Sequence, residues 1–181
     1  MKGLSSWLYR VTSGWVAILA VVIFAVFSAT VLPAQSASEA ADRDAPAPDL
    51  SIYYTADELY RMAESYGQAG RQEYVRARFT FDLVWPVVYT LFLTALISWI
   101  GGRVLPEDSR WRLVNLLPLT GMAFDYLENI ATSLVMLRYP ADTPVVPYLA
   151  GIFTSLKWLF IGAAFIVLVV LLILGILERL R

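Results

Sequence analysis

Residues 113–137 read LVNLLPLTGMAFDYLENIATSLVML, a stretch that must be judged by its length and by the polar residues it carries. A helix needs roughly 17 to 25 mainly apolar residues to cross a hydrocarbon layer of about 30 Å, because backbone polar groups there must bond within the segment. The stretch has that length between Arg112 and Arg138. Against it stand Asn115, Asp125, Glu128 and Asn129, since an ionised side chain inside a bilayer costs at least ~2.5 kcal/mol even on the mild insertion scales. Asp125, Glu128 and Asn129 recur at spacings of three and four, on one broad helix face that Gly121 and Thr132 extend by a turn each way. With that face turned inward, the other sides can meet lipid, so the stretch is read as a span.

Three other stretches need less argument. Residues 15–32 are uncharged throughout, residues 83–100 are equally clean after Asp82, and residues 147–177 are broken only by Lys157. Lys2 and Arg10 ahead of the first stretch, with Ala34, Ser36 and Ala37 after it, also fit a cleaved signal peptide. The apolar run exceeds the roughly 7 to 15 residues of a signal core, and Trp15 and Phe27 suit a retained anchor. The expected fold is therefore all-α, an integral membrane four-helix up-and-down bundle. Basic residues mark the side that stays in the cytoplasm. Lys2 and Arg10, then Arg103, Arg110 and Arg112, then Arg179 and Arg181 fall on one side. Both termini are accordingly expected in the cytoplasm, with the chain in the plasma (inner) membrane.

Between the first two spans lies the one long connection. Residues 33–49, PAQSASEAADRDAPAPD, are small, acidic and proline-punctuated, a composition that cannot bury a core and suits a flexible outer linker over 33–54. Thr55 followed by Glu58 fits a capping box, and Leu59, Met62, Ala63 and Tyr66 then repeat at helical spacing. Gly67 and Gly70 close that helix, and Arg71 to Arg78 leads into the second span, so residues 55–78 form an extracytoplasmic amphipathic hairpin. The chain thus divides into 1–32 with the first span, 33–54, 55–78, and 79–181 with three spans and a polar cluster.

Composition removes many function classes. With 59% hydrophobic residues and a net charge of −1, no global field exists to recruit nucleic acid. There is no cysteine and no histidine, so thiolate chemistry, a histidine-based triad, haem and zinc are not expected, and no cofactor is predicted. No glycine-rich phosphate loop is present.

What remains is a set of ionisable residues where hydrocarbon belongs. Asp82, Asp125, Glu128 and Lys157 should face partners or a wet cavity. Pro86 predicts a kink and frees the carbonyl of Asp82, four residues back, and Tyr89 lies a turn along the same face. Three carboxylates then converge around one lysine unless Arg76 or Arg78 folds in. One reading is structural, with Glu128 paired to Lys157, Asp82 to Arg78, and Asn129 as polar glue between helices. The other makes Asp82, Tyr89, Asp125, Glu128, Asn129 and Lys157 the lining of an outward-facing acidic cleft for a cation, a proton or a lipid-like amphiphile. If a hard metal ion binds, Asp125 and Glu128 are its ligands. An accessory subunit of a membrane complex, and a small lipid-acting enzyme using the carboxylate and lysine groups, are the alternatives. Ser155 and Lys157, two apart on a helix, do not face each other as a catalytic dyad would. Partners are membrane lipids, with a homo-oligomer or larger complex open.

Overall fold

The computed structural model describes residues 2–42, 48 and 51–180, and among them it is helical without strands. In chain order these are α1 (Lys2–Val11), α2 (Gly14–Asp42), α3 (Ala56–Ser65), α4 (Gly67–Arg78), α5 (Phe81–Val104), a 3-10 segment (Arg110–Leu116), α6 (Leu117–Arg138) and α7 (Val146–Arg179). Three helical stretches are long and apolar enough to cross a membrane: Gly14–Ala34, Gly67–Val104 and Val146–Arg179. The helix α6, with 22 residues, has the length of a span but carries Asp125, Glu128 and Asn129 in its middle and is not among the three.

Burial separates these helices by role. In its most apolar window α5 is 56% buried, against 11% for α2 and 22% for α7. The helix α5 is therefore central, packed on α2, α6 and α7. The helix α2 leans on α5 through stacked rings, Phe24 on Phe92 and Phe27 on Trp85, while Trp15, Ile18, Leu19, Val22 and Val26 on its far side are exposed. Apolar surface of that extent is compatible with a membrane-spanning helix.

The helix α2 does not stop where the polar linker begins. It continues through Pro33 to Asp42, because a single proline forfeits one backbone bond, here to Ala29, and the following Ala and Ser residues tolerate a helix. Residues 43–47, 49 and 50 of the expected flexible linker lie outside the described residues.

The helices α3 and α4 follow that connection, and α3 begins at the cap its sequence pattern predicts. Thr55 and Glu58 make the reciprocal capping box, the Thr55 N–H donating to Glu58 Oε2 at 2.7 Å and the Glu58 N–H to Thr55 Oγ1 at 3.2 Å. The Thr55 N–H and the Thr55 hydroxyl, which both donate to the carboxylate, hold the Glu58 carboxyl below its ordinary range. Leu59 and Ala63 are fully buried and pack with Tyr74 of α4, Val135 and Met136 of α6 and Ala150 of α7. The corner falls at Gly67, whose φ of +60° favours glycine. Gly70 lies inside α4 rather than ending α3, so the lead-in to α5 starts four residues before Arg71. The helix α5 is continuous through Pro86, and the interruption sits at Phe79 and Thr80 instead.

At the opposite end, α1 is a separate helix. Ser5 and Tyr9 face inward, and Leu4, Trp7 and Val11 are exposed. Asn115, wholly buried, donates to the Ser5 carbonyl at 3.2 Å and Ser98 Oγ at 3.1 Å, and accepts from Ser5 Oγ at 2.8 Å. One amide thus ties α1, α5 and the 3-10 segment together. The Tyr9 phenol, pushed up to about 12 by burial against a smaller opposing pull from Arg112, donates to the Arg112 carbonyl at 3.0 Å.

Candidate functional site

Antiparallel packing of α6 on α7 brings Glu128 opposite Lys157, and the Lys157 ammonium meets Glu128 Oε2 at 2.6 Å with side-chain exposures of 4% and 1%. Burial this deep makes the pair an obligatory unit, because neither charge could stand alone. The other carboxylate oxygen accepts from the Tyr54 phenol at 3.3 Å. Burial, then the Glu128 charge, push that phenol well above its ordinary range, so it is a permanent neutral donor.

Tyr54 reaches this position because residues 51–54 are strapped along α7. The Trp158 indole donates to the Ser51 carbonyl at 3.0 Å and Ser155 Oγ to the Ile52 carbonyl at 3.1 Å. At Gly151 a Cβ would overlap the Tyr54 carbonyl oxygen. Gly151, Ser155 and Trp158 share one face at spacings of four and three. Ser155 is thus occupied with the strap and is not aimed at Lys157. Gly121 permits the close α6–α7 contact, a Cβ there lying 2.8 Å from Ile161 Cγ1, whereas Gly162 has open space.

A second ion pair spans the α4–α5 corner. Arg78 Nε lies 2.9 Å from Asp82 Oδ2, with side-chain exposures of 2% and 10%, and the guanidinium covers the Tyr74 ring at 4.6 Å. Asp125 accepts from the Tyr89 phenol at 2.9 Å and from Asn129 Nδ2 at 3.3 Å. The six residues singled out from sequence therefore lie in one buried neighbourhood, but not as three acids around one lysine. Arg78 folds in as the second cation, and each carboxylate has its own arrangement on a different pair of elements.

Between α2, α5, α6 and α7 lies a cleft of about 170 Å³. Arg78, Asp82, Tyr89, Asp125 and Lys157 line it together with the rings of Phe24, Trp85, Trp158 and Phe165. Glu128 and Asn129 stand behind this lining and hold Lys157 and Asp125. Glu128 faces Lys157 while Asp125 faces Tyr89, so the two proposed metal ligands are turned to different partners. Among the described residues no group of three or more His, Cys, Asp or Glu is placed to hold a metal ion.

Sequence reasoning missed two contributors. Tyr54 gave no signal, since it falls at the end of the stretch expected to be a flexible outer linker. Asn115 gave one, an amide alone in an apolar run, which marks a buried bond between helices. Comparison with protein-family models, with curated proteins and with solved structures returned no match for this chain.

Proposed function

We propose that the chain crosses the membrane four times, α6 included, and binds the polar head of a lipid-like amphiphile in the α2–α5–α6–α7 cleft. The observation that carries this reading is the mixed lining. A cation or proton site needs only polar groups, whereas Phe24, Trp85 and Phe165 in the same cleft as Asp82, Asp125 and Lys157 suit a ligand with a head and a chain. The cleft also lies between α2 and α7, which touch each other little and both expose apolar surface, so a chain can enter sideways from the bilayer.

The four-span reading draws on α6 having the length of a span and on its acids being buried against α5 and α7. With basic residues Arg10, Arg103, Arg110, Arg112 and Arg179 at one end, both termini lie in the cytoplasm and the α3–α4 hairpin covers the outer end. The cleft then opens in the outer half of the bilayer.

Lipid extraction and mass spectrometry of the purified protein tests the ligand. The wild type should carry one amphiphile class above its abundance in the surrounding membrane. Asp125→Asn, which keeps shape and removes charge, should lose that enrichment while eluting and unfolding like the wild type. The same lipid profile in both proteins would overturn the reading. Retention of a second polypeptide through gentle extraction would favour the accessory-subunit alternative.

A further inference from the structure

A second cavity, of about 470 Å³, lies at the other end of the molecule between the closing turns of α5 and α7. Its chemistry is unlike that of the charged cleft. Trp99, Arg103, Leu172, Gly175, Glu178 and Arg179 line it. The Arg103 guanidinium stacks over the Trp99 ring at 4.1 Å and gives one N–H to the Trp99 carbonyl, which fixes the group and leaves further donors of its five. Two guanidinium groups against the one Glu178 carboxylate leave one net positive charge.

We propose that this groove binds the phosphodiester of an anionic phospholipid in the leaflet at the basic end, with an acyl chain along Leu172 and Ile176. A phosphodiester carries a single negative charge, which matches the excess, and guanidinium forks suit its paired oxygens. Basic pockets between spanning helices at the cytoplasmic side have this character in general. The carbonyl ends of α5 and α7 also lie here and repel an anion, so binding rests on Arg103 and Arg179. Gly175 leaves the groove unfilled, the nearest atom to a Cβ there being Val104 Cγ1 at 3.6 Å. The site does not depend on the reading of the charged cleft.

The test uses the full chain in nanodiscs of equal phosphatidylcholine and phosphatidylglycerol, released into native mass spectrometry. Wild type should keep phosphatidylglycerol in preference to phosphatidylcholine. Losing both cations in Arg103→Gln/Arg179→Gln should weaken that retention by about thirtyfold, taking the typical worth of a basic residue near an anionic surface for each. Arg103→Lys/Arg179→Lys should keep most of it. Gly175→Leu, which fills the groove without touching a charge, should lower it too and carries the test if the glutamine pair fails to fold. Equal retention of the two lipids by wild type, or unchanged retention in the glutamine pair and in Gly175→Leu, would overturn the proposal. Displacement of the lipid by millimolar inorganic phosphate would likewise overturn it, in favour of a free-phosphate site.

Discussion

Replacing Lys157 by methionine keeps the length of the side chain and removes the ammonium 2.6 Å from Glu128. Glu128 is 1% exposed, so it must either keep an uncompensated charge in the interior or take up a proton. Breaking a buried pair in this way costs about 3–5 kcal/mol. The Tyr54 phenol still donates to the carboxylate, but a single hydrogen bond to a charged group is worth only about 1.5–3 kcal/mol and already exists in the wild type. Glu128→Leu alone should cost a similar amount by stranding Lys157. The double variant Glu128→Leu/Lys157→Met removes both desolvation penalties and should fall within about 1 kcal/mol of wild type. Reversing both charges should recover part of the loss. Unfolding by SDS in mixed micelles, followed by circular dichroism, measures all four proteins. Single losses below about 1 kcal/mol that simply add in the double variant would refute the obligatory pairing of these groups.

Four further outcomes follow from packing and caps. Gly151→Ala should cost about 1–3 kcal/mol and loosen residues 51–54 to protease, because its Cβ meets the Tyr54 carbonyl, whereas Gly162→Ala, in open space, should be neutral or stabilising. Thr55→Ala should cost about 1 kcal/mol through loss of the α3 cap. Glu58 is lower in the folded chain than its ordinary value of 4.5, so its contribution is present above that pH and fades as acid protonates the folded carboxyl. Amide protection in α3, taken relative to the base-catalysed intrinsic exchange rate at each pH, should therefore fall on acidification in wild type but not in Glu58→Gln. Asn115→Leu should release α1, seen as fast exchange over residues 2–11 and a loss of about 1–3 kcal/mol, since it strands Ser5 and Ser98.

Helix positions were largely legible in the sequence, because apolar runs and the Thr55–Glu58 box are local signals. The spacing of Asp125, Glu128 and Asn129 correctly announced one inward face, for helix geometry fixes which residues share a side. Partner choice was less accessible. Whether Arg78 reaches Asp82 depends on where the chain bends between α4 and α5. The bend lies at Phe79 and Thr80, and the proline at 86 gave no hint of it. The placing of Tyr54 depends on a glycine about a hundred residues away, a tertiary fact with no local trace. Helix α1 has no long apolar run, and its inward Ser5 and Tyr9 become meaningful only beside Asn115 and the Arg112 carbonyl.

The proposals for the charged residues and the cleft rest on α6 crossing the membrane, and the absence of native cysteine makes that directly measurable. Single cysteines at Gly3, Asp108, Gln68 and Ala141 can be probed in intact cells with a reagent that cannot cross the membrane. A four-span chain predicts that Gln68 and Ala141 label from outside, and that Gly3 and Asp108 label only after permeabilisation. Labelling of Asp108 and Ala141 from the same side would mean that residues 113–137 do not cross, and would contradict the membrane-embedded cluster at its root.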